Sequence, residues 1–112
     1  MASTPEFAAF VLEQLSGAGD VTTRKMFGEY GFWCDGKFCA VACDNMLYMK
    51  PTKAGREALG EVVEAPPYEG AGNYFLIQDV EDRDRLARVL RATCDELPLP
   101  KKRKKKTEPA DR

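Results

Sequence analysis

The 112-residue sequence contains no histidine. That absence removes the Cys-His and Ser-His dyads, every histidine-bearing metal site and the commonest general base near neutral pH. Long apolar runs are missing too: no stretch approaches the roughly 20 residues that cross a bilayer, and the N-terminus lacks the basic start and apolar core of a signal peptide. A cytoplasmic protein without a membrane contact is the expectation. Four cysteines with no export signal read as reduced thiols rather than a disulfide framework.

What is present is a composition 44% hydrophobic and 31% charged, that of an ordinary globular chain of one domain. The formal net charge of −1 conceals an asymmetry. Residues 1–97 carry ten Lys and Arg against sixteen Asp and Glu, a net of −6, whereas residues 98–112 carry seven against two, a net of +5. An acidic folded domain, 1–97, with a basic appended tail, 98–112, accounts for the split.

A helix is expected from about Pro5 to Ser16. Thr4 or Ser3 can cap it, and Phe7, Phe10, Val11, Leu15 and Ala18 form one apolar stripe. From Val21 the period changes to two. Val21 to Phe27 reads as a strand that leads through Gly28 and Gly31 into Phe32 to Cys34. Asp35-Gly36 is a two-residue hairpin turn, Lys37 to Cys43 returns, Asp44-Asn45 turns again, and Met46 to Lys50 completes a β-meander. Lys53 to Gly60 is a short helix, the Pro- and Gly-rich residues 66–72 a loop, and Asn73 to Gln78 a strand. Asp79 is expected to cap a last helix, Val80 to about Glu96, whose apolar face holds Leu86, Val89, Leu90, Thr93, Cys94 and Leu97. The order is about α-β-β-β-α-β-α. The fold class is α+β, in two layers, with the terminal helices packed on a mainly antiparallel sheet.

Strict alternation from the Asp35-Gly36 turn would pair Trp33 with Phe38 and Phe32 with Cys39. It would set Trp33, Phe38, Ala40, Ala42, Leu47 and Met49 on a core face. The opposite face would carry Tyr30, Phe32, Cys34, Cys39, Val41, Cys43, Met46 and Tyr48. Three thiols on one face, Cys34, Cys39 and Cys43, raise the question of a metal. Their spacing, C-x4-C-x3-C, is not the C-x-x-C knuckle of strong zinc motifs, and a fourth ligand would have to come from Cys94 or a carboxylate. Cysteine also packs as a small hydrophobe, so no metal, cofactor or catalytic residue is expected. An apolar second face would be a partner surface, through Tyr30, Phe32, Val41, Met46 and Tyr48, for another protein or for a homodimer; helices wrapped on both faces are the alternative. Arg24 and Lys25 are strand-end cations that could bind an anion, though pairing with a core-edge carboxylate such as Glu29 is the simpler reading. Gly28 and Gly31 read as bulge or tight-bend positions.

The motif "VTTRKMFGEYGFW", with Arg24, Met26, Phe27, Gly28, Tyr30 and Gly31, is followed by Asp35-Gly36, Phe38, Ala40 and the strand "LYMK". With the closing "YFLIQDVEDRDRLARVLRATCDELPLPKKRKKK", these resemble the N-terminal domain of the TfoX/Sxy family of bacterial competence regulators, in its short stand-alone form. The resemblance spans nearly the whole chain. It implies an α+β domain with terminal helices and no catalytic residues, and a regulatory or adaptor role through protein contacts. Full-length regulators of that family add a second, helical domain that this length does not accommodate. The run Lys101, Lys102, Arg103, Lys104, Lys105 and Lys106 is a disordered polycation by composition. It reads either as a nonspecific nucleic-acid contact or as a solubilising end.

Overall fold

The computed structural model describes residues 3–26 and 28–98. Helix α1, Pro5–Leu15, begins where Thr4 Oγ1 accepts the Phe7 N–H at 3.1 Å and Pro5 occupies the first turn. A short 3₁₀ turn, Ser16–Ala18, follows it. Of the expected stripe, Val11, Leu15 and Ala18 are buried, but Ala8 rather than Phe10 completes it, and Phe10 is exposed. Ser3 takes another role: its hydroxyl accepts the Asn45 N–H, fastening the start of the chain to a hairpin turn.

Six antiparallel strands follow in the spatial order β1-β2-β3-β4-β6-β5. They are β1 Val21–Met26, β2 Glu29–Cys34, β3 Lys37–Cys43, β4 Met46–Met49, β5 Val63–Ala65 and β6 Tyr74–Ile77. Both hairpin turns have positive φ at their two central residues, Asp35 and Gly36 in one, Asp44 and Asn45 in the other. That geometry matches the twist of the flanking strands and explains why Asp, Asn and Gly stand there. The pairings Cys34 with Lys37 and Trp33 with Phe38 follow from the first turn as expected. Then the register shifts, and Phe32 pairs with Ala40, which leaves Cys39 as an extra residue on β3. This bulge is the main departure from the sequence reading.

Helix α2, Lys53–Leu59, lies between β4 and β5, and α3, Arg83–Glu96, closes the domain. The last helix starts three residues later than expected, because Asp82, not Asp79, accepts the Arg85 N–H and caps it. Strand β5 has no counterpart in the sequence reading. The main core lies between the sheet and the helices: Val11 and Leu15 of α1 and Leu86, Val89, Leu90 and Cys94 of α3 meet Phe32, Ala40, Ala42, Leu47, Met49 and Phe75.

Charged side chains lock the helices in place. Arg91 of α3 donates to Ala18 O at 2.8 Å and to Asp35 Oδ2 at 2.9 Å, joining α3 to the 3₁₀ turn and the β2–β3 turn. Glu96 accepts the N–H groups of Lys53 and Ala54 at 3.0 and 2.7 Å, which seats α2 on the end of α3. Close contact between these two helices requires a glycine: a Cβ at Gly55 would fall 2.7 Å from both Thr52 Oγ1 and Thr93 Oγ1.

Candidate functional site

The face of the sheet away from the main core holds a second cluster, in which Val41, Cys43 and Tyr48 pack with Phe38, Ala65, Tyr74 and Leu76. Among the described residues no helix side chain belongs to it. Strand alternation builds this face on β3, β4 and β6, where Val41 opposes Tyr48 and Tyr48 opposes Leu76. At one side Trp33 and Phe38 stack with ring centroids 5.1 Å apart and planes tilted by 56°. The Arg24 guanidinium sits 4.8 Å from the Trp33 ring, and the Lys50 ammonium 5.5 Å from the Phe38 ring. The result is a row of two rings flanked by a cation at each end, with each cation over the electron-rich face of a ring.

Gly31 makes this packing feasible. A Cβ there would come within 2.9 Å of Met26 Sδ and 3.0 Å of both the Phe38 and Trp33 rings. The glycine is therefore a close-approach position on an extended strand, while Gly28, with φ of 78°, is the true turn glycine of the motif.

Beside this row a cavity of about 440 Å³ opens on the same face. Tyr30, Phe38, Tyr68 and Tyr74 supply its rings, Val41 and Cys43 part of its wall, and Glu29 the one formal charge of its lining among the described residues. The Glu29 carboxylate is held by two backbone donors, Ser3 N–H at 2.9 Å and Asp44 N–H at 3.0 Å. Among the described residues these N–H groups hold Glu29, and it forms no ion pair with Arg24 or Lys25. Burial raises the Tyr74 hydroxyl above the ordinary phenol range.

The five residues read as a partner surface do not all share this face. Val41 and Tyr48 lie in the outer cluster, and Met46 is 41% exposed. Tyr30 packs against the main core and also lines the cavity. Phe32 is a correction: it is fully buried under the helices. The bulge at Cys39 is the cause. The extra residue puts Cys39 and Ala40 on the core side in succession, so Phe32 opposite Ala40 turns inward while Trp33 and Phe38 turn outward. Trp33 and Phe38 are thus also corrected, from core to outer face. The sequence reading missed Tyr68 and Tyr74. For Tyr74 a signal existed, since Phe75 and Ile77 facing the core require Tyr74 and Leu76 to face away.

The same bulge separates the cysteines. Cys34 and Cys39 belong to the main core and Cys43 to the outer cluster, so the three do not converge. Cys34 meets Cys94 of α3 instead, and the Cys94 thiol donates to Cys34 O at 3.2 Å. With an Asp35 oxygen these two sulfurs lie within 4.8 Å of one another. Asp35 is already engaged, however, by Arg91 and by the Asp20 N–H at 3.0 Å. A cation here would have to sit beside the Arg91 guanidinium, which also donates to Cys94 Sγ. Burial pushes the Cys34 thiol up to about 12, with the hydrogen-bonded Cys94 adding to the effect, and pushes Cys39 and Cys43 up to about 11. Such thiols stay protonated at neutral pH and are poor nucleophiles. The donor set does not suit a metal, and the cysteines serve as packing groups.

Lys101 to Lys106 lie outside the described residues. Among the described residues no helix is long and apolar enough to cross a membrane.

Comparison with known proteins agrees with this architecture. A relative from Spirochaeta aurantia, described as an uncharacterized 12.7 kDa protein in the trpE 5' region, is 42% identical over 108 residues, which cover 96% of this chain and 94% of that protein. The model of the TfoX N-terminal domain matches residues 13–97, from the last turn of α1 through β1–β6 to the end of α3. The positive-φ Gly28, the close-packed Gly31 and the two positive-φ hairpin turns all fall inside that span, and the chain belongs to the TfoX N-terminal domain family.

Proposed function

We propose that the chain is a small regulatory adaptor without catalytic activity, which works by protein contact through the helix-free face of its sheet. The observation that carries this reading is the second apolar cluster. Phe38, Tyr74 and Leu76 are only partly buried there, and Tyr68 beside them is 60% exposed. A contiguous apolar patch flanked by Arg24 and Lys50 is the kind of surface that proteins bury against a partner. The buried, protonated thiols and the engaged carboxylates favour contact over chemistry. Affinity capture is the test: the full chain retains a protein partner that a Trp33→Ser, Phe38→Ser double variant of unchanged circular dichroism loses. Equal retention by both forms refutes the reading. Homodimerisation is one version of it, and a strictly monomeric sedimentation profile at high concentration removes that version.

A second reading is favoured by the run Lys101 to Lys106. Six successive cations release counterions from a polyanion and bind it without sequence preference, in a steeply salt-dependent way. In this reading the tail holds nucleic acid while the acidic body limits its affinity. Truncation after Pro100 abolishes retention on DNA at low salt if the tail is the contact, and leaves it unchanged if it is not.

A further inference from the structure

We propose that the cavity on the open face is a binding site for a small organic cation, an ammonium group carrying methyl or other apolar substituents. This goes beyond the protein-contact reading and does not depend on it. At about 440 Å³ the cavity falls within the range of small-molecule sites, which is roughly 300–1,000 Å³. Its walls decide the class of ligand. Tyr30, Phe38, Tyr68 and Tyr74 present π-systems whose faces carry negative potential, and aromatic enclosures of this kind attract ammonium groups too bulky to be well hydrated.

The formal charge of the lining itself points the same way. Glu29 is an acid, and among the described residues the lining contains no lysine or arginine; Lys50, 5.5 Å from the Phe38 ring, occupies that one ring and leaves the three tyrosines to a ligand. Its carboxylate is fixed by the Ser3 and Asp44 N–H groups, which use only part of its acceptor capacity, so an ammonium can approach without the side chain having to reorganise. An anion would meet this carboxylate with no cation in the wall to offset it. The molecule already uses neighbouring rings in this way: Arg24 over Trp33 and Lys50 over Phe38 are cations held on aromatic faces. Tyr68 stands 60% exposed on the loop between β5 and β6, and a ligand filling the cavity gives that ring a surface to pack against.

The test uses the full chain and three probes with a common benzyl or phenyl body: benzyltrimethylammonium, neutral benzyl alcohol and anionic benzoate. Titration calorimetry, with amide chemical-shift mapping to locate the contact, gives the relative affinities. The expected result is that the ammonium binds at least about tenfold tighter than either other probe and shifts the amides of Glu29, Phe38, Tyr68 and Tyr74. Tyr68→Ala weakens it about tenfold and Tyr68→Phe keeps it; this exposed position leaves the fold intact, which circular dichroism verifies. Glu29→Gln weakens the ammonium and not the alcohol. Equal or tighter binding of the alcohol, preference for benzoate, no binding of the ammonium at millimolar concentration, or indifference to Tyr68→Ala would each overturn the proposal.

Discussion

Phe32 and Trp33 are neighbours in sequence with opposite fates, and replacing each in turn tests the bulge that separates them. Phe32 has no exposed surface and packs within the core that α1 and α3 cover. Truncation to alanine removes a buried ring and leaves a cavity, at a cost of about 3–5 kcal/mol. A domain of this size has about 5–15 kcal/mol in total, so Phe32→Ala approaches the limit of folding. Trp33, half-buried on the outer face, loses its stacking on Phe38 and its contact with Arg24, each about 0.5–1.5 kcal/mol. Trp33→Ala therefore costs about 1–3 kcal/mol, less than Phe32→Ala. Urea unfolding followed by circular dichroism measures both, since the indole itself is absent in one variant. Failure of Phe32→Ala to fold while Trp33→Ala folds gives the same order. A larger cost for Trp33→Ala would mean that strict alternation persists through Cys39 and that the faces are reversed.

Further outcomes follow from the helix contacts, the carboxylates and the thiols. Gly55→Ala in an ordinary helix interior would stabilise by about 1 kcal/mol, but the 2.7 Å approach to Thr52 and Thr93 reverses the sign, for a net loss of about 1–3 kcal/mol by urea unfolding. A stabilised Gly55→Ala would refute the close seating of α2 on α3. The hydrogen bond from Arg91, then that from the Asp20 N–H, holds the Asp35 carboxyl below its usual 3.8; the Ala54 and Lys53 N–H groups hold Glu96 below its usual 4.5. Because the folded values are lowered, this stabilisation is complete above about pH 4.5 and is lost as pH falls through the folded values. Asp35→Asn and Glu96→Gln flatten the dependence of the urea midpoint on pH below 4.5, and unchanged slopes would contradict the assignment. All four cysteines are buried, so native protein reacts slowly with a disulfide reagent at pH 8 and fully after denaturation; rapid labelling of any one thiol in the folded state would refute their packing role.

The legible parts of this fold were those with local causes. Asp35-Gly36 and Asp44-Asn45 announce their turns because few residues tolerate positive φ, and the turns set the register of the adjoining pairs. The apolar stripe of α3 was evident from its period, whereas its start was not, since Asp79, Glu81, Asp82 and Asp84 offer several capping acids and packing chooses Asp82. The bulge had no marker: Cys39 is as comfortable in a regular strand as in a bulged one, and only the fit of Phe32 under the helices selects between them. Strand β5, three residues with a glutamate at its centre, depends on pairing with β6 and has no pattern of its own. For the same reason the outer site was half-read. Val41 and Tyr48 follow from the second turn, but Trp33 and Phe38 change sides at the bulge, and Tyr68 reaches the cavity from a loop whose path no periodicity describes.

Site-specific photocrosslinking distinguishes contact through the open sheet from contact through the helix layer. A benzophenone side chain at Tyr68, on the open face, and another at Arg88, exposed on α3, are compared within cells of the source organism. The account predicts a discrete protein adduct from position 68 and none from position 88. Adducts from position 88 alone would show that the helix layer makes the contact and would contradict the assignment of function to the sheet.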